Sequence, residues 1–229
     1  MTQSTDRPYG QGMLPLTAEE MLTTTRAVRK RLDLSRPVPR DVVETCLRLA
    51  FQAPNGSDQQ TWNWILVDDP DIRTEMARLY RLGLQDHLAR PKEERGTTRD
   101  VPDADAAAKQ QRMTGSVMHL MEHLHEVPVL LVPTFFGRPE RGTVFDQASR
   151  WGSMAPGIWS FMLALRLHGL GSAWTTLHLY REREMAELLG IPYERNTQAG
   201  LFPVAYTLGT DFRPADRTAS EDRIHWNHW

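Results

Sequence analysis

One stretch restricts the fold more than any other: from Asp146 to His168 the chain is apolar nearly all the way round a helix. Trp151, Ile158, Trp159, Phe161 and Leu165 are interspersed there with Gly152, Ser153, Ala155, Gly157, Ser160 and Ala164. A helix with no polar face is buried on all sides. In a chain of 229 residues, burial that complete calls for a subunit interface as well as a core. Asp146 is placed to cap this helix and Gly169 to end it.

The rest of the chain is mostly helical with a few separated strands. Residues 1–13 read as a loose arm. Thr17 and Glu20 form a capping box for a helix running towards Arg29, and Arg36-Pro37-Val38-Pro39 is a stiff turn. Asp41 to Gln52 is a second amphipathic helix, stopped before Pro54. Trp62 to Val67 is a buried strand. Asp69 and Pro70 open a helix through Ile72, Met76, Leu79 and Tyr80. Residues 83–112, rich in charge with Pro91 and Pro102, read as a surface excursion: a solvated insertion or a lid over a substrate. Gly115 to Glu126 is a helix, Val129 to Phe136 a β-rich run, and strand-like residues lead to Leu177. A helix from about Glu182 to Leu189 and a strand from Val204 to Gly209 follow. This order predicts an α+β layered domain over residues 14–229.

Composition excludes several classes. The net charge is −2, which favours neither nucleic acid nor an anionic membrane as partner. No apolar run is long enough to span a bilayer, and Met1 to Gly12 does not resemble a signal peptide. The single cysteine, Cys46, has no internal partner and lies among Val42, Val43, Leu47 and Ala50, so it reads as a buried structural thiol in a cytoplasmic protein. His119 and His123 stand four apart with Glu122 and His125 nearby, but there is no H-E-x-x-H, and Met118, Leu120 and Met121 look like core, so no metal is expected.

Three stretches have the composition of a binding site. Thr25-Arg26-Ala27-Val28-Arg29-Lys30-Arg31 carries four cations within six residues, a charge density suited to phosphate. Alone, it better describes the solvated basic end of a helix. Ala53-Pro54-Asn55-Gly56-Ser57-Asp58-Gln59-Gln60-Thr61-Trp62 places small and amide residues before a buried strand, where a backbone can approach a ligand. Alone, it is an ordinary turn. In Gly169-Leu170-Gly171-Ser172-Ala173-Trp174 the glycines follow a helix and precede a strand, the reverse of a dinucleotide fingerprint.

In order and separation these stretches, with Pro37-Val38-Pro39 between the first two, resemble the FMN-dependent nitroreductase family, whose pattern runs R-R-S-V-R, P-V-P, A-P-S-x-x-N-x-Q-P-W and G-L-G-x-x-W. The tail, with Arg217 and Trp226, fits as well, and the resemblance covers about residues 17 to 229. It implies a central, mostly antiparallel sheet flanked by helices, in an intertwined homodimer. It also implies that Arg26, Ala27, Val28 and Arg29, with Arg217, hold the FMN phosphate. Pro54, Asn55, Gly56, Ser57, Asp58 and Gln60 would reach the flavin from the other subunit, and Thr175, Thr176 and Leu177 would pass its edge, with the Thr176 N–H facing flavin N5. The implied activity is reduction of a small-molecule acceptor, such as a nitroaromatic or quinone, with NAD(P)H. Hydride passes to and from flavin N5 in ping-pong fashion, so no acid–base triad is needed.

The chain departs from the pattern at Thr25 (usually arginine), Ala27 (usually serine) and Asp58 (usually asparagine). Lys30 and Arg31 stand ready to compensate the first two. An ionised Asp58 would disfavour an anionic reduced flavin. Two other functions fit the same residues: a tailoring flavoenzyme, such as a dehydrogenase or reductive dehalogenase, and a flavin-binding module without turnover. Residues 83–112 do not clearly show the zwitterion-clamping pattern of the dehalogenase branch.

Overall fold

The computed structural model describes residues 12–91, 94–95, 104–215, 217 and 223–229. Most of the predicted N-terminal arm lies outside them. Five strands form one sheet: β1 (Trp62–Val67), β2 (Val129–Phe136), β3 (Leu170–Gly171), β4 (Asn196–Gln198) and β5 (Phe202–Tyr206). The order is β1-β2-β5-β3, with β4 also on β2, and every pairing between these strands is antiparallel. The predicted layered α+β fold is therefore the observed one.

β2 shows how the layers arise. It is apolar along its length, yet its side chains alternate between two cores. Leu130 and Val132 pack with Met76, Leu79, Tyr80, Leu120 and Leu124. Val129, Leu131 and Phe135 pack with Cys46, Met154, Ile158, Phe161 and Leu165. The first core lies under α3 (Pro70–Ala89), α4 (Ala104–His123) and α6 (Glu182–Leu189). The second lies under α2 (Arg40–Ala50) and α5 (Val144–Leu167). Burial pushes the Cys46 thiol up to about 12, as suits a structural cysteine.

The first helix, α1 (Ala18–Thr24), begins at the predicted capping box but stops before Arg29. Thr23, Thr24 and Thr25 are β-branched, and each hydroxyl donates to the carbonyl four residues back, at 2.8, 2.6 and 2.6 Å. Such bonds weaken helix continuation, and Val28 instead donates to Ser172 O at 2.7 Å. At α5, Thr143 is the N-cap and Asp146 the third residue of its capping box, at 2.9 Å to Thr143 N. Gly169, at φ +71°, follows that helix as expected.

Residues 83–112 differ from the surface excursion expected. Gly83 to Ala89 continues α3, and α4 already begins at Ala104. The interval 96–103 lies outside the described residues. The strand-like run after Gly169 contributes only Leu170–Gly171, then isolated bridges and a 3₁₀ turn, Leu177–Arg181. The last strand starts two residues earlier and ends three residues earlier than predicted, and β4 was not anticipated. Among the described residues no helix is long and apolar enough to cross a membrane.

Candidate functional site

The first and third motifs meet. After α1 the chain runs extended beside Ser172, with Ala27 and Ser172 forming a parallel bridge. Gly171 permits this approach: a Cβ there would lie 2.9 Å from Val28 Cβ. Val28 is consequently a core residue, and Ala27 is exposed. Thr25, Arg26 and Arg29 are the polar residues of the stretch that line cavities.

Arg26 lines a narrow cleft with Thr25, Ser172 and Arg166. Its Nη2 donates to Arg213 O at 2.6 Å, but among the described residues its Nε is buried without a partner, as is the Ser172 hydroxyl. Buried donors are nearly always satisfied, so these two groups are free to meet an acceptor from outside the described residues. Arg166 adds a third group. It is buried, its Nη2 donates to Thr210 O at 3.0 Å, and burial lowers its pKa. Sequence reasoning missed it, although an arginine in the last turn of an otherwise apolar helix is itself a signal. The expected compensators stand elsewhere: Lys30 is exposed, and Arg31 is tied to Asp211 at 2.5 Å and to Leu208 O at 2.9 Å.

Arg29 faces a second and larger cavity, of about 700 Å³, with Tyr80, Trp174, Thr175, Thr176 and Leu177. Burial lowers the Arg29 pKa, opposed by Tyr80. Burial likewise raises that of Tyr80, while Thr175 and Arg29 draw it back. The floor is pinned to the sheet. Thr175 N donates to Leu201 O at 3.1 Å and its hydroxyl to the same oxygen at 2.6 Å, and Trp174 Nε1 donates to Ala199 O at 2.8 Å. From the other side α3 presses in at Gly83, where any Cβ would strike the Leu177 carbonyl. Thr176 is exposed, and its N–H holds no acceptor among the described residues. Met118, expected in the core, also lines this cavity.

The second motif is elsewhere. Asn55, with Gly56 and Ser57 of the 3₁₀ turn Gly56–Asp58, lines a separate cavity of about 290 Å³ with Trp62, Phe145, Ser149 and Ser153. Asn55 Oδ1 accepts from Gln60 N at 2.9 Å, and Gly56 N donates to Ser153 Oγ at 2.9 Å. Ser57, Asp58 and Gln60 all have left-handed backbone, at φ 53°, 53° and 45°. Strain of that kind persists only where the surroundings hold it. Pro54, Asp58 and Gln60 are exposed. Within one chain, then, this loop does not meet Arg26, Arg29 or Thr176, and Arg217 is exposed, outside the cavities described. The loop borders a bare stretch of α5, where Val144 is 82%, Phe145 78% and Trp159 40% exposed. The predicted all-round burial of α5 is thus incomplete in a single chain.

The histidines of α4 form a pair: the His119 and His123 rings lie 4.6 Å apart, and His123 Nδ1 stands 2.7 Å from Glu126 Oε1. Among the described residues no group of three or more metal-binding side chains gathers.

The chain belongs to the nitroreductase family, whose sequence model matches residues 22–206. An Archaeoglobus fulgidus protein provisionally named NADH dehydrogenase/NAD(P)H nitroreductase is 25% identical over 213 residues, covering 92% of this chain and 97% of its own. Among solved structures, the FMN-dependent nitroreductase NfnB of Mycobacterium smegmatis in complex with NADPH superposes with a TM-score of 0.67 at 19% identity, covering 92% of this chain and 98% of that one. Oxidized iodotyrosine deiodinase bound to FMN and 3-iodo-L-tyrosine superposes with a TM-score of 0.66 at 19% identity, over 92% and 99%. At these identities the two structures establish a shared fold.

Proposed function

We propose that this protein is an FMN-dependent oxidoreductase that uses NAD(P)H to reduce small electrophiles such as nitroaromatics or quinones. The observation that carries the reading is the pair of orphaned buried donors, Arg26 Nε and Ser172 Oγ, in a cleft that also holds Arg166. These groups suit a phosphate. Bound FMN would supply hydride transfer at N5, with one stacking site serving donor and acceptor in turn. Arg29 would place a fixed positive charge against the flavin ring, and the Thr176 N–H would offer it a donor from a floor held by Leu201. The fit extends to the names of the relatives, which include FMN and NADPH.

A homodimer completes the proposal. The exposed Val144, Phe145 and Trp159 would pack against a second copy, bringing its Asn55–Asp58 loop to the cavity of the first. Trp226 and Trp229, also exposed, would be covered by the same association.

Reductive dehalogenation is a second reading, favoured by the fold shared with iodotyrosine deiodinase. Anaerobic addition of NADPH to the purified protein tests the main proposal: rapid bleaching of the flavin band is expected. A colourless protein that rejects FMN refutes it, and a flavin that binds but does not bleach leaves a binding module without turnover. Reoxidation of the reduced protein by nitro, quinone, enone and halophenol compounds then separates the two enzymatic readings.

A further inference from the structure

Beyond Arg29 and Thr176, the outer part of the large cavity has its own chemistry. Leu84, Leu88, Met113 and Val117 give it apolar walls. His87, Arg95 and Tyr180 add polar groups, and no described residue lining the cavity carries a carboxylate. Among the described residues, the acidic side chains at and just beyond this end of α3 are engaged by other arginines: Asp86 by Arg181 at 2.6 Å, and Glu94 by Arg90 at 3.5 Å.

The cationic groups are held in place. Arg95 Nε donates to Arg90 O at 2.8 Å and its Nη2 to Leu88 O at 2.6 Å, so its guanidinium sits over the last carbonyls of α3, where the helix dipole favours positive charge. The Tyr180 hydroxyl lies 3.0 Å from His87 Nδ1 and accepts from Arg90 Nη1 at 3.2 Å. Both tether α3 to the 3₁₀ turn that follows Leu177. An apolar cavity that ends in held cationic and hydroxyl groups suits an aromatic ring carrying an anionic substituent.

We propose that this outer mouth, through Arg95 and Tyr180, binds an anionic substituent on the acceptor, and that the acceptor is an aromatic carboxylate. The inference rests on the flavin reading above and deepens it. The phosphate of a pyridine nucleotide presents similar chemistry, so the test separates the two sources.

Calorimetry with 4-nitrobenzoate and methyl 4-nitrobenzoate, on protein supplied with FMN, compares an acid with its neutral ester. The acid is expected to bind about tenfold tighter, the value of one charge-assisted bond at a partly exposed site. Arg95→Gln should bring the acid-to-ester ratio near one, Arg95→Lys should keep most of it, and Tyr180→Phe, which keeps the ring but loses the bonds to His87 and Arg90, should lower it about threefold. A wild-type ratio of one or less overturns the proposal. So does an equal fall in the Gln and Lys variants, which would mark Arg95 as structural. So does an unchanged ratio in Arg95→Gln combined with lost discrimination between NADPH and NADH, which would assign the anion site to the nucleotide. NADPH bleaching, measured alongside, reports separately on the flavin reading: its absence sinks that reading, and the affinity ratio still decides this one.

Discussion

Replacing Gly83 by alanine tests how the floor of the large cavity is positioned. Gly83 lies on α3, away from every cavity wall described, and its hydrogen faces the Leu177 backbone. An added Cβ would stand 2.8 Å from the Leu177 carbonyl carbon and nearer still to its oxygen. Restoring about 3.5 Å at the carbon requires a movement of roughly 0.7 Å, and the oxygen requires more. The obstacle is backbone, so no rotamer change relieves it. Overpacking of this kind costs about 1–3 kcal/mol, and alanine regains up to about 1 kcal/mol through its better helix propensity. A net loss of about 1–2 kcal/mol follows, or a Tm lower by roughly 2–8 °C for a chain of this size. The larger effect falls on activity. The strand side of Leu177 is anchored at Thr175 to Leu201, so α3 can recede only by shifting the segment that presents the Thr176 N–H. A misplacement of about 1 Å costs on the order of 100-fold. Urea unfolding and NADPH-dependent turnover, measured on the same preparation, should therefore give a modest stability loss with kcat/KM down about 10- to 100-fold. Wild-type turnover in a folded Gly83→Ala protein would refute the reasoning.

Other perturbations probe the remaining assignments. The double variant Arg26→Ala/Arg29→Ala should lose FMN on gel filtration that the wild type retains; unchanged flavin affinity sinks the assignment of Arg26 to the phosphate and of Arg29 to the ring. Asp58→Asn should raise the flavin reduction potential by removing a negative charge near the ring, and a spectroelectrochemical titration showing no change or a drop counts against it. Trp159→Glu, at the bare stretch of α5, should convert a dimer to monomers by light scattering and release FMN; a variant that stays dimeric removes α5 from the interface. His178 is fully buried, and burial pushes its imidazole down to about 3, with Gln198 acting weakly in the other direction. The folded value lies below the unfolded one, so this contribution to stability is intact above about pH 6.5 and is lost as pH falls towards 3, at about 1.4 kcal/mol per pH unit for one proton. His178→Leu should flatten that part of the acid limb in urea titrations, and an identical slope refutes the assignment.

The legible parts of the fold were those in which local chemistry and burial agree. The capping box at Thr17, the Asp69-Pro70 start of α3 and the run Val129–Phe136 each satisfy one short-range rule, and each stands where that rule puts it. The ends of the 83–112 region failed for the opposite reason. Leu84 and Leu88 do continue the four-residue spacing of Ile72, Met76 and Tyr80, but the charged run that follows obscured this end of α3, and the start of α4 carries small and charged residues with no regular apolar stripe. β4 is three polar residues, Asn196–Gln198, made a strand by its bonds to β2 and not by propensity. Of the residues proposed for the site, Arg26, Arg29 and Thr176 were offered by the family resemblance. Arg166 was not: it joins the cleft from a helix about 140 residues further along the chain.

That long-range entry of Arg166 bears on the departures from the family pattern. Thr25 stands where a first arginine is usual, and the local sequence offers Lys30 and Arg31 as replacements. Arg31 is already committed to Asp211 and Leu208, and Lys30 is exposed, so neither reaches the cleft. Arg166 does, and its charge is desolvated there with neutral partners, Thr24 Oγ1 at 3.3 Å and Thr210 O at 3.0 Å. A buried guanidinium without a carboxylate is costly, and an arriving phosphate would remove that cost. Arg166→Met should therefore act oppositely on the two forms. The FMN-free protein should be as stable as the wild type or more so, and the FMN-loaded protein less stable. Thermal unfolding at saturating and zero FMN measures both. Equal destabilisation in the two states would show that Arg166 serves packing alone, and would return the phosphate assignment to Arg26 and Ser172.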